Sequence, residues 1–120
     1  MDSIEALWSI NFISNVQLLP GQIPTGGGIV VFETGHVLGG DSAMTYVGYY
    51  RCPQGDNRVE ADIEVNRFLT GGVSVFGSID HFHLKLTGQY QRDRFVMEGS
   101  MVEHPDRRIT IQLIRRVELP

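Results

Sequence analysis

Asp80-His81-Phe82-His83 holds the side chains of this sequence best suited to chemistry. Residues i and i+2 of a strand share a face, so two imidazoles placed this way reach one metal ion. The sequence shows no third ligand at a recognisable spacing, and an inward Phe82 leaves both histidines facing solvent. A metal-free surface pair is therefore the favoured reading, with a metal-assisted enzyme the sharper one. His36 and His104 fall beside expected turns. Cys52 follows Arg51, a cation able to lower a thiol pKa, yet no base stands at a known spacing to make it a nucleophile. Gly26-Gly27-Gly28 is no phosphate loop, because no Lys-Ser/Thr follows and a β-branched run comes next where phosphate cradles open onto helices. A turn is expected there instead. Asp41, after Gly39-Gly40, is expected to cap turn amides with its carboxylate. Arg107-Arg108 and Arg115-Arg116 could form an anion or partner patch, strand-edge solubility being the commoner role. No catalytic residue, metal ligand or cofactor is assigned.

The elements that must position these residues follow from composition and periodicity. A chain of 120 residues suits one domain, taken as 1–120. Its formal charge of -4 supplies no basic field for phosphate backbones, which disfavours direct nucleic-acid binding and points to proteins or small molecules as partners. No basic n-region opens the sequence, and no apolar run approaches the roughly 20 residues of a membrane helix. The one cysteine excludes an intrachain disulfide and fits a reducing compartment, so the expectation is a cytoplasmic chain without membrane contact. The 14 glycines lie between apolar runs, which points to an all-β class rich in turns.

The stretch from Gly26 to Tyr50 reads as a meander. Ile29 to Phe32 is one strand, Glu33-Thr34-Gly35 a hairpin connection, and His36 to Leu38 the return strand, broken by Gly39-Gly40-Asp41. Met44 to Arg51 follows, with Tyr46, Gly48 and Tyr50 on one face and Val47 and Tyr49 on the other. Apolar bulk on both faces calls for cover on both, hence the expectation of a homodimer. Before the meander, Leu7 to Ser14 alternates with Trp8, Ile10 and Phe12 on one face, and Asn15 to Thr25 reads as an irregular connection. After it, Val59 to Asn66 directs Val59, Ala61, Ile63 and Val65 inward and Glu60, Asp62, Glu64 and Asn66 outward. Arg67 to Ile79 reads as loop. His81 to Tyr90 places Phe82, Leu84, Leu86, Gly88 and Tyr90 inward. Arg94 to Val102 does the same with Phe95, Met97, Gly99 and Met101, and Arg108 to Glu118 with Ile109, Ile111 and Leu113.

Eight strands are expected, antiparallel and up-and-down, closing into a calycin- or lipocalin-like β-barrel with little helix. Eight is the number at which side chains just fill the interior or leave room for one small ligand. The possible interior comprises Val59, Ile63, Phe82, Leu84, Leu86, Tyr90, Phe95 and Met97, and an apolar small molecule is the alternative to a filled core. Filled is the slightly favoured state.

Two stretches, LWSINFISN at Leu7 to Asn15 and GIVVFETGHVLGGD...TYVGYY from Gly28 to Tyr50, resemble the GrlR-like family of small bacterial β-barrel proteins. GGVSVFG at Gly71 to Gly77 and FHLKLTG at Phe82 to Gly88 agree with that family's second half. The resemblance implies a calycin-like barrel with an apolar interior, a dimer, and no catalysis. It also implies negative regulation of type III secretion genes through binding a transcriptional activator protein, without contact to DNA. The family's regulator carries a run of acidic residues on an exposed loop. Here Cys52 to Asn57 offers Asp56 beside Asn57, and the remaining acidic residues, Glu60, Asp62 and Glu64, lie along a strand. These five residues are the expected partner-binding surface.

Overall fold

Thr34 and Gly35 both have positive φ, 51° and 80°, which makes the connection between Glu33 and His36 a two-residue turn twisted to match the strands it joins. From this hairpin the chain runs on as a meander. The computed structural model describes residues 3–16, 25–53, 57–70 and 79–120. Its strands are β1 (Ala6–Ser14), β2 (Thr25–Glu33), β3 (His36–Gly40), β4 (Met44–Arg51), β5 (Arg58–Arg67), β6 (His81–Gln89), β7 (Arg94–Met101) and β8 (Arg108–Glu118). Each is antiparallel to the next, and β8 returns to pair with β1, so the eight strands form a closed up-and-down barrel. No helix occurs among the described residues, and none there is long and apolar enough to cross a membrane.

The two-residue period sorts side chains cleanly. Trp8 and Ile10 of β1, Val59 to Val65 at alternate positions of β5, Phe82 to Leu86 of β6, Phe95, Met97 and Met101 of β7, and Ile109 to Leu113 of β8 are all buried. Each large apolar side chain withdrawn from water in this way contributes about 1.5–3 kcal/mol. The outer positions of β5 and β6 carry Glu60, Asp62, Glu64 and Lys85, an arrangement opposite to the apolar outer band of a lipid-embedded barrel.

Two expectations about glycine are corrected. Gly26-Gly27-Gly28 is not a turn but the first half of β2, paired with Phe12, Asn11 and Ile10 of β1. Gly39-Gly40 does not break β3, because both pair with β2 on one side and β4 on the other. The entropic penalty of glycine in a strand is real, but ladder bonds from β1 hold Gly26 to Gly28, those from β2 and β4 hold Gly39-Gly40, and close neighbours leave little room for a Cβ. The expected loop from Asn15 to Thr25 ends one residue early, its residues 17–24 lying outside the described residues. So does most of the second expected loop, residues 71–78, where the GGVSVFG part of the resemblance falls.

Close approach is tightest at Gly99 of β7, where a Cβ would sit 1.8 Å from the Lys85 carbonyl oxygen of β6. That separation is far inside van der Waals contact, so the two backbones must part to admit even a methyl group. Gly99→Ala is expected to destabilise the barrel by about 1–3 kcal/mol, read from urea unfolding monitored by Trp8 fluorescence. An unchanged midpoint would show that β6 and β7 are not held this closely.

Candidate functional site

One half of the barrel is solid. Trp8 is fully buried, with Phe95 edge-on to it at 5.1 Å between ring centroids and Tyr90 at 6.4 Å. Over the same indole lies the Arg115 guanidinium, 4.8 Å from the ring. Arg115 donates hydrogen bonds to the carbonyls of Ser3 (2.8 Å) and Arg92 (2.7 Å) and to the Tyr90 hydroxyl (2.8 Å). A cation this well hydrogen-bonded over an aromatic face stabilises by up to about 2 kcal/mol beyond packing. Arg115 is thus neither a solubility residue nor part of a basic patch: its side chain is 8% exposed and seals this end. Tyr90 and Phe95 meet edge-on at the same end, 5.6 Å between ring centroids, and both are buried.

The other half is hollow. A cavity of about 260 Å³ lies inside the barrel, lined by residues of all eight strands and of the β3–β4 turn. Of the expected interior residues, Ile63, Phe82, Leu84, Leu86 and Met97 line it, together with Phe32, Ile111 and Leu113. The interior is therefore filled at one end only, whereas the sequence reading favoured filling throughout. Phe12, Phe32, Tyr46 and Phe82 stand in this lining among aliphatic residues, and the small Ala61 side chain leaves room between them.

The polar end of the cavity is built by Asp41, in the turn after β3. Its Oδ1 accepts hydrogen bonds from the backbone N–H groups of Ala43 and Met44, both at 2.8 Å, so the expected cap is present. Its Oδ2 accepts from the Tyr46 hydroxyl. Burial, then the hydrogen bond and the negative charge of Asp41, raise the Tyr46 pKa far above the usual phenol range, so this tyrosine is a fixed donor. Asp41, Ser42, Tyr46 and Thr25 all border the cavity, and Thr25 and Ser42 are exposed at its rim.

A second cluster sits on the outer wall. Register places Glu64 of β5 opposite His83 of β6, and Asn66 opposite His81. The His83 Nε2 lies 3.5 Å and the His81 Nε2 3.9 Å from the Glu64 carboxylate. The opposite ring nitrogens are held from behind: Nδ1 of His81 by Asn66 Oδ1 at 2.5 Å, and Nδ1 of His83 by Glu103 Oε2 at 2.6 Å. Glu103 Oε1 also accepts from the His83 backbone N–H at 2.9 Å. Glu64, which linear spacing did not connect with the two histidines, thus meets them across the strand pair.

The rest of the expected partner surface is distributed differently. Glu60 and Asp62 are both engaged by Arg51 of β4, at 2.9 and 2.8 Å, and Arg58 adds a contact to Glu60 at 3.4 Å. The stripe of Glu60, Asp62 and Glu64 is therefore paired cross-strand and is not a free acidic face. Asn57 is exposed, its carbonyl accepting from the Tyr90 N–H at 2.6 Å, and Asp56 lies outside the described residues. Burial pushes the Cys52 thiol pKa up, which opposes the activation a neighbouring Arg51 could have given. Compared with protein-family models and with curated proteins, the chain matches none.

The hydrogen bond that His83 donates to the Glu103 carboxylate raises the His83 pKa above its ordinary 6.5. Partial burial works against the charge of Glu103, but the hydrogen bonds from the His83 ring and backbone prevail and lower its pKa to about 2. The stabilisation from His83 is complete below its ordinary pKa and fades as pH rises through the raised value. That from Glu103 is present above its ordinary 4.5 and fades as pH falls towards about 2. The pair is consequently strongest in mildly acidic solution. In chelator-treated protein, the NMR titration midpoint of His83 should exceed that of a free imidazole and drop back in Glu103→Gln. A midpoint indifferent to that substitution would mean the pair does not form in solution.

Proposed function

We propose that this chain is a non-enzymatic binding protein, regulatory in the manner of the GrlR-like proteins it resembles, with the hollow half of the barrel as its small-molecule site. The cavity carries this reading. Its volume of about 260 Å³ exceeds the roughly 150 Å³ that suffices for benzene. One substituted ring, or a chain of about eight carbons, fits at roughly 30 Å³ per water-sized group. Aliphatic and aromatic walls favour the apolar body, while the Asp41–Tyr46 pair and Ser42 at the rim favour a polar head that donates a hydrogen bond. Eight methylene groups at about 0.8 kcal/mol each give roughly 6 kcal/mol before ordering costs, an affinity no tighter than tens of micromolar without help from the polar end. Native mass spectrometry with octanol and with indole should show saturable one-to-one binding. Ala61→Phe, which projects a ring into the cavity, should weaken it at least about 10-fold while Trp8 fluorescence stays native-like. Failure of both probes to bind would remove the small-molecule reading.

The protein-binding half of the proposal draws on the outer wall of β2 to β4. Register lines up Val31, Leu38 and Val47 in a row across the three strands, with Tyr49 and Ile29 beside it. Leu38 is 54%, Val47 46% and Tyr49 64% exposed, a grouping that suits a protein interface better than water. With the acidic stripe already paired, this row is the surface best suited to a second copy of the chain. A transcriptional activator, as the resemblance implies, is then the regulated partner. Light scattering should report a dimer at micromolar concentration and a monomer for Leu38→Glu. A wild-type monomer would sink the dimer, and an activator's binding would then need another face.

A further inference from the structure

We infer that Glu64, His81 and His83 form a binding site for one divalent transition-metal ion, Zn²⁺ being the best fit, on the outer wall of β5 and β6. Two imidazole nitrogens and one carboxylate oxygen are a donor set that suits zinc and its neighbours, whereas magnesium and calcium prefer oxygen alone.

The geometry argues for more than chance proximity. Donor atoms on a tetrahedron with bonds of about 2.0–2.1 Å lie roughly 3.3–3.4 Å apart. The carboxylate of Glu64 already stands 3.5 and 3.9 Å from the two Nε2 atoms, and the ligand atoms of all three residues lie within 4.8 Å of one another. Side-chain shifts of about an ångström, within reach of exposed rotamers, bring the three around one ion. Both rings are also oriented for it. Asn66 Oδ1 and Glu103 Oε2 accept from the Nδ1 atoms, which places the proton there and turns each Nε2 lone pair towards Glu64. Acceptors behind metal-ligating histidines do this in established sites. The ligands come from two strands joined by their ladder, and Glu103 from the turn after β7, so a bound ion ties three segments of the wall together. The fourth coordination position faces solvent and stays open to water or to a donor from a partner.

Isothermal titration of chelator-treated protein with ZnCl₂ tests this. One ion per chain should bind saturably, MgCl₂ should give no heat above dilution, and His36→Ala and His104→Ala should leave the isotherm unchanged. His81→Ala and His83→Ala should each weaken binding at least about 10-fold, and Glu103→Gln, which touches no ion, by about 10-fold or more through loss of ring orientation. All of these side chains lie at the surface, and circular dichroism checks that each variant is folded. Binding that survives the double variant of His81 and His83, or absence of saturable zinc binding, would overturn the assignment. The cavity plays no part in this titration, so its outcome is independent of the small-molecule reading.

Discussion

Closure is the constraint on which everything else in this protein depends. The ladder between β1 and β8 runs from Ala6 opposite Glu118 to Ser14 opposite Ile109, with one irregularity between Leu7 and Trp8. Without it the sheet would present two long edges, and its inner face would have nothing to pack against. With it, the interior has a fixed girth set by strand number and tilt, and the side chains of alternate residues must share a limited volume. Glycines on the inner face accommodate the curvature this imposes.

A fixed girth makes the distribution of bulk along the axis decisive. At one end Trp8, Tyr90 and Phe95 stack edge to face beneath Arg115, whose polar atoms are satisfied by Ser3, Arg92 and Tyr90. A buried guanidinium without those partners would be costly; with them it is a lid. At the other end Ala61 leaves space between aliphatic and aromatic walls, and the Asp41 carboxylate fixes the β3–β4 turn and the Tyr46 hydroxyl together. The result is one barrel with a rigid base and a cup above it, apolar in its walls and polar at the rim.

The outer wall follows a different rule. On β5 and β6 the cross-strand neighbours are polar, and their pairing decides what surface remains. Arg51 takes up Glu60 and Asp62, while Glu64 turns to the two histidines. What looks in the sequence like one acidic stripe is two separate arrangements, one a salt-bridge network and the other a convergence of potential ligands. The apolar row of Val31, Leu38 and Val47 lies on the adjoining strands.

Much of this was determined by the amino-acid order alone. Alternation with period two identified the strands, the inward set from Trp8 to Leu113 and, through their number, the barrel, because side-chain direction in a strand is a local property. The hairpin at Thr34-Gly35 and the Asp41 cap were legible for the same reason, since each involves residues a few positions apart. Only the tertiary structure decided the rest. Whether Gly26 to Gly28 and Gly39-Gly40 belong to strands depends on neighbours that supply ladder bonds. Arg115 acts as a seal because the fold brings it against Trp8, more than a hundred positions earlier. Glu64 meets His81 and His83 through register between β5 and β6, which no spacing along the chain encodes. How much of the interior stays empty depends on the volumes that all eight strands contribute to it, a sum over distant positions that periodicity does not report.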